Sequence, residues 1–165
     1  MLIIVRGLPG TGKSYFSENF AIALGATYVS SDQVRARLKL RGRYEETVKE
    51  RVYQEMFKEA KEALQSHHHC LMDATFSKLD RLGAASRLAA AYSVAFFVIE
   101  MTADEDTIKD RVSRSRKFSE ANVAVYEKIK REYESIQEDF LLLNSSTLSL
   151  EAMIKKAKKY LAYDR

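Results

Sequence analysis

The chain has 165 residues, of which 46% are hydrophobic and 30% are charged, and this composition excludes an intrinsically disordered or low-complexity protein. The net charge of +4 is too small to identify an acidic partner by itself. A single cysteine, Cys70, excludes an intramolecular disulfide and favours a cytoplasmic location. The apolar runs are much shorter than the roughly 20 residues of a membrane-spanning helix. We therefore expect one soluble domain over residues 1–165, with no membrane partner.

Short apolar runs alternate with longer amphipathic segments, which is typical of a parallel sheet with helical crossovers. In chain order, the pattern predicts a strand at 2–5, a helix at 13–24, a strand at 27–30, a short helix from Ser31, a helix at 45–65, a strand at 70–72, a helix at 78–91, a strand at 94–101, a helix at 120–136, a strand at 139–144 and a helix from Ser149. Right-handed crossovers then predict an α/β fold with a doubly wound, five-stranded parallel sheet flanked by helices. Ligands are expected at the carboxyl ends of the strands.

The first predicted strand leads directly into GLPGTGKS, Gly7 to Ser14, which fits the phosphate-binding pattern G-x-x-x-x-G-K-[ST]. Its glycines let backbone N–H groups approach a phosphate, and the helix that begins at Lys13 directs its positive dipole end at the same anion. The Lys13 ammonium can reach the β- and γ-phosphates, and the Ser14 hydroxyl can bind Mg²⁺. The predicted P-loop ATP site consists of Gly7, Leu8, Pro9, Gly10, Thr11, Gly12, Lys13, Ser14 and Tyr15.

Two aspartates lie at the ends of predicted strands, where their side chains could reach a nucleotide bound by the P-loop. Asp32 follows the second predicted strand, and Asp73 ends the third. A kinase needs a carboxylate that orients the acceptor hydroxyl and takes its proton. A hydrolase would instead position a water molecule and use Asp73 as a metal ligand. The structural alternatives are a helix N-cap at Asp32 and a turn at Asp73.

Just over half of the cations are concentrated in three stretches, at 35–43, 109–117 and 155–159. One interpretation is that these are solvated helix faces. The second stretch, however, lies where nucleotide kinases have a lid whose arginines close over the phosphates, so we expect a helical lid at about 113–121. Arg35 would face the same cleft, where a guanidinium suits an acceptor that carries its own phosphate.

Four segments, in this order, resemble the P-loop kinase group that includes polynucleotide 5′-hydroxyl kinases, an AAA-type group with zeta-toxin-like relatives. They are GLPGTGKSYFSENFA, YVSSDQVRARL, LMDATFSKLDR and RSRKFSEANVAVYEKIKREYE. By this resemblance, Asp32 matches the general base and Arg35 matches an arginine that contacts a phosphate of the acceptor.

The same resemblance implies the roles of four further residues. Asp73 and Thr75 match residues on the acceptor side of the site. Arg116 best matches the catalytic lid arginine, and Arg114 is the second choice.

The resemblance implies an ATP-dependent kinase that uses Mg²⁺ and phosphorylates a hydroxyl group. The favoured acceptor is the 5′-hydroxyl of a nucleic acid, whose backbone phosphates the basic stretches would bind. One alternative is a kinase of a small molecule, nucleoside or sugar. Another is an accessory ATPase that acts as a nucleotide-dependent switch. The residues favour no particular oligomeric state.

Overall fold

A computed structural model describes residues 1–113, 123–137 and 139–162, and these contain one all-parallel sheet of five strands. The strands are β1 (Leu2–Arg6), β2 (Thr27–Ser30), β3 (Cys70–Asp73), β4 (Phe96–Thr102) and β5 (Leu141–Asn144). The helices are α1 (Lys13–Leu24), α2 (Ser31–Arg37), α3 (Glu46–Gln65), α4 (Leu79–Ala91), α5 (Glu105–Ser113), α6 (Val123–Glu132) and α7 (Leu150–Ala162). Within these ranges, no helix is both long and apolar enough to cross a membrane.

The strands are ordered β2-β3-β1-β4-β5, which confirms the predicted doubly wound fold. All of β1 is buried, as expected for a central strand that is covered on both faces. Because side chains alternate along a strand, Leu2 and Ile4 pack with α3 and α4, whereas Ile3 and Val5 pack with α1 and α7. The sheet is therefore a rigid layer between two apolar cores.

Three strands end at the same level of the sheet. Val5 of β1 and Ser30 of β2 are both in register with Asp73, the last residue of β3. The loop after β1 and the helix after β2 consequently begin side by side, next to this aspartate. Ligands of doubly wound sheets bind at this carboxyl edge.

Helix α6 ends at Glu132, so the prediction of a helix to residue 136 is wrong at its carboxyl end. The N–H of Glu134 instead donates to the carbonyl of Ser77 (2.9 Å), and its carboxylate accepts from the N–H of Leu79 (2.8 Å). These tertiary hydrogen bonds take the place of helical ones and satisfy a free N–H group at the start of α4. The predicted helix start, at 120, lies outside the described residues.

Candidate active site

The loop between β1 and α1 makes a tight turn that depends on its glycines. Gly12, just before α1, has a φ of 82°, a left-handed conformation that other residues rarely adopt. At Gly7, a Cβ atom would lie 2.5 Å from the carbonyl oxygen of Met101. The Thr11 hydroxyl donates to the carbonyl of Leu8 (2.8 Å) and closes the turn. The predicted phosphate-binding segment thus forms a compact loop at the N-terminus of α1, where backbone N–H groups favour an anion.

Arg111 of α5 holds this loop in place, a role that the sequence did not reveal. Its guanidinium donates to the carbonyl of Gly10 (3.2 Å) and to the Ser145 hydroxyl (2.7 Å). The Ser145 hydroxyl in turn donates to the carbonyl of Thr11 (2.8 Å). The segment after β5 reaches the loop because β4 and β5 follow β1 in the sheet, and sequence spacing does not contain this information.

The carboxylate of Asp73 is the buried centre of the site, with only 1% of the residue exposed. Burial raises the pKa of this carboxyl, while the Lys13 charge and the nearby Ser14 and Tyr28 hydroxyls lower it. The nearby negative charge of Asp32 raises the same pKa. The structure therefore brings together four groups: the predicted lysine, the predicted Mg²⁺ ligand and both aspartates.

Tyr28 orients the Asp73 carboxylate from the neighbouring strand. Its hydroxyl donates a 2.8 Å hydrogen bond to Oδ2. Burial and the Asp73 charge raise the pKa of Tyr28, which keeps the phenol protonated as a donor. The other oxygen, Oδ1, is buried and has no hydrogen-bond partner among the described residues. A fixed carboxylate oxygen beside the Ser14 hydroxyl fits Mg²⁺, which binds few carboxylates and takes its other ligands from phosphate and water.

Asp73→Asn is expected to stabilise the fold at neutral pH. The pKa of Asp73 is higher in the folded protein than in the unfolded chain. Between these two pKa values the folded protein binds more protons than the unfolded chain, so the free energy of unfolding falls as pH rises through this range. The asparagine variant has no carboxyl at this position and therefore does not lose stability in this way. Thermal unfolding from pH 4 to pH 8 should therefore show a melting temperature advantage that grows with pH. Asp139→Asn, at an exposed position, is the matched control. An advantage that does not change with pH would contradict this account of Asp73.

A cleft opens beside the phosphate-binding loop at the carboxyl edge of the sheet. Its lining consists of Pro9, Lys13, Ser31, Asp32, Arg35, Tyr44, Lys49, Tyr53, Thr75, Ser77, Arg81, Val125, Ile129 and Glu132. Lys13, Asp32, Arg35 and Thr75, which the sequence singled out on separate segments, therefore share one cleft. Asp73 is buried beside this group and does not line the cleft. Tyr15, predicted at the ATP site, is 64% exposed and lies outside the lining.

A family profile for an AAA domain, AAA_33, matches residues 2–136. The chain belongs to the AAA_33 family. An uncharacterized protein of Mycobacterium tuberculosis is 32% identical over 123 residues, which cover 67% of this chain and 25% of the relative. The chain thus spans about a quarter of the length of the curated relatives that it matches.

Two solved structures show the same fold as this AAA_33 domain. The APS kinase of Mycobacterium tuberculosis, in complex with AMPPNP and APS, has a TM-score of 0.73 at 15% identity over 98% of this chain and 96% of the kinase. A gluconokinase of Sinorhizobium meliloti has a TM-score of 0.71 at 16% identity, with coverage of 98% and 91%. The chain therefore has the fold of P-loop kinases.

Among the described cations that line the cleft of this AAA_33 domain, Arg35 is the most buried. It is 9% exposed, and its guanidinium donates to the carbonyl of Arg43 (2.8 Å). The guanidinium carbon lies 4.9 Å from the centre of the Tyr44 ring. The buried Nε has no hydrogen-bond partner in the part of the chain that the structure describes. A buried donor of this kind is costly unless a ligand accepts from it.

The predicted lid arginines, Arg114 and Arg116, lie outside the described residues of this AAA_33 domain, as does most of the predicted lid. The two helices on either side of that segment are described. Ile108 and Val112 of α5 pack against Tyr126 of α6 and against Leu8 of the phosphate-binding loop. A small apolar cluster thus links both helices to the loop.

Proposed function

We propose that the chain is an ATP-dependent phosphotransferase that phosphorylates a hydroxyl group on an acceptor carrying an anionic group. The observation that carries this proposal is that Lys13 and Asp32 line the same cleft, next to the enclosed guanidinium of Arg35. A phosphate-binding lysine and a carboxylate side by side provide the two groups that phosphoryl transfer to an alcohol requires.

Each residue has a defined part in this reaction. The P-loop backbone and Lys13 hold the β- and γ-phosphates of ATP, and Asp32 orients the acceptor hydroxyl and accepts its proton. Ser14 and Asp73 would hold Mg²⁺, which when bound neutralises charge on the phosphates. Arg116, or Arg114 in its place, would add positive charge from the lid.

The charges around the cleft favour a small acceptor. Several cations in the described parts of the stretches 35–43 and 109–117, which we expected to contact a polynucleotide, are paired with carboxylates. Arg37 pairs with Glu59, Arg43 with a neighbouring glutamate, and Lys109 with Glu105. A second groove shares Tyr53 and Arg81 with the cleft, and its lining consists of Glu46, Glu50, Tyr53, Phe57, Lys78, Asp80, Arg81 and Ala84. The three carboxylates of this groove outnumber its two cations, which makes it a poor path for the phosphates of a polymer. The gluconokinase and the APS kinase that share the fold are likewise named for small molecules.

A nucleic-acid 5′ end is the second candidate acceptor. The observation that favours it is the Tyr44 ring beside Arg35, since an aromatic ring next to a guanidinium can stack on a base while the arginine binds the adjoining phosphate. A nucleoside 3′-phosphate contains the same two groups without the polymer.

A transfer screen with γ-labelled ATP separates these acceptors. The panel contains sugar acids, phosphorylated polyols, nucleosides, nucleoside 3′-phosphates and 5′-hydroxyl oligonucleotides. We expect label in the small anionic compounds and little in uncharged sugars or nucleosides. Strong labelling of oligonucleotides alone would favour the second candidate. The proposal would be contradicted if ATP were only hydrolysed, with no label in any acceptor. Stimulation of this hydrolysis by a protein partner would favour an accessory ATPase.

A further inference from the structure

We infer that Arg81 and Arg35 form a two-sided subsite for a phosphate or similar dianion of the acceptor, and that the Glu46 carboxylate competes with this anion for Arg81. This inference rests on the proposed function and specifies how the acceptor is recognised. Arg81 lies in the first turn of α4, on a segment of the chain far from Arg35, and the sequence did not single it out.

Both arginines line the cleft together with Tyr53, whose side chain is buried. The guanidinium carbon of Arg81 lies 3.9 Å from the centre of the Tyr53 ring. Burial raises the pKa of the Tyr53 phenol, and the charges of Arg81 and Arg35 both lower it. Both positive charges therefore act on the same side chain. Helices α2 and α4 thus bring two positive charges to one wall of the cleft.

The wall retains hydrogen-bonding capacity for an anion. The buried Nε of Arg35 is without a partner in the described ranges, although another nitrogen of the same guanidinium donates to a backbone carbonyl. Phosphate accepts several hydrogen bonds at once, and paired arginines bind it with defined geometry. A dianion between the two guanidinium groups would satisfy this donor and neutralise both charges.

Glu46 forms ion pairs with two cations, Arg81 and Lys49, that could otherwise bind such an anion. Arg81 donates to one of its oxygens (2.9 Å), and Lys49, which also lines the cleft, donates to the other (3.1 Å). The Glu46 side chain is 73% exposed, whereas that of Arg81 is 15% exposed. An exposed carboxylate forms a weak ion pair because water screens it. A dianion in the cleft can therefore displace Glu46 and gain Arg81 together with Lys49.

Inorganic phosphate is the probe for this subsite. The protein is saturated with AMPPNP and Mg²⁺, so that the phosphate-binding loop is filled, and phosphate is then titrated while arginine Nε–H signals are followed by ¹⁵N NMR. Arg35→Lys and Arg81→Lys assign the two signals, and Arg87→Lys, at an exposed position on the same helix, is the control. We expect both signals to shift with one dissociation constant. Glu46→Gln should tighten phosphate binding about threefold to tenfold, as expected when a competing ion pair is removed, while Glu62→Gln should not. The inference would be overturned if the Nε–H signals of Arg35 and Arg81 did not shift with phosphate. It would also be overturned if Glu46→Gln left the dissociation constant for phosphate unchanged.

Kinetics distinguish failure of the subsite from failure of the proposed function. With the acceptor found in the transfer screen, Arg81→Lys should raise its KM by about tenfold to a hundredfold, as loss of a charged hydrogen bond predicts. The KM for ATP should stay unchanged. Phosphate binding without any transfer would refute the kinase and leave the subsite intact. Transfer with an unchanged acceptor KM in Arg81→Lys would refute the subsite alone.

Discussion

Replacing Asp32 by asparagine is expected to lower phosphoryl transfer by about 10²- to 10⁴-fold, the usual contribution of a general base. Asparagine has nearly the same shape, but its amide cannot take the proton of the acceptor hydroxyl. Binding of ATP should be retained or slightly stronger, because the variant removes a negative charge from the cleft that holds Lys13.

The measurement compares single-turnover transfer with the dissociation constant for ATP, obtained by calorimetry. Asp139→Asn, which changes an exposed carboxylate before β5, is the matched control. Transfer at the wild-type rate in Asp32→Asn would show that another group accepts the proton.

Replacing Lys13 by methionine is expected to lower transfer by about 10²- to 10³-fold, as loss of one charged transition-state contact predicts. Methionine preserves much of the side-chain length and removes the ammonium that we propose to bind the phosphates. The variant should also raise the pKa of Asp73 further, because the Lys13 charge is the largest influence that lowers it.

Lys61→Met, at an exposed position on α3, is the control for this substitution. The transfer rate and the affinity for ATP are measured for both variants. A Lys13→Met protein that transfers phosphate normally would place the nucleotide elsewhere than in the P-loop.

The sequence predicted the sheet and the grouping of the site because both depend on local patterns. Short buried strands separated by amphipathic helices specify a doubly wound sheet, and residues after its strands meet at one edge. Asp32 and Asp73 lie close together for this reason, since Ser30 and Asp73 are in register on neighbouring strands.

The residues whose roles could not be predicted from the sequence contact partners on strands that are distant in the chain. Tyr28 reaches Asp73 only because β2 lies next to β3, and Arg111 reaches the phosphate-binding loop only because β4 and β5 follow β1. Hydrophobic periodicity identifies strands but does not identify which polar side chains of different strands meet.

Arg6 is a second example of a role that local patterns do not contain. It is completely buried at the end of β1, with its Nε 3.3 Å from a carboxylate oxygen of Glu100 and 2.7 Å from the Tyr133 hydroxyl. A buried arginine is tolerated only with such partners. The partners come from β4 and from the segment after α6, which the sequence predicted to be helical.

The central claim, transfer of the γ-phosphate to an acceptor hydroxyl with Asp32 as the base, is tested most directly by following the γ-phosphate itself. Wild-type protein and Asp32→Asn are incubated with γ-labelled ATP, Mg²⁺ and the acceptor from the screen, and the products are separated. We predict a labelled phosphate ester from the wild type and almost none from the variant, although both bind ATP. Label that appears only as inorganic phosphate, in equal amounts from both proteins, would contradict the claim.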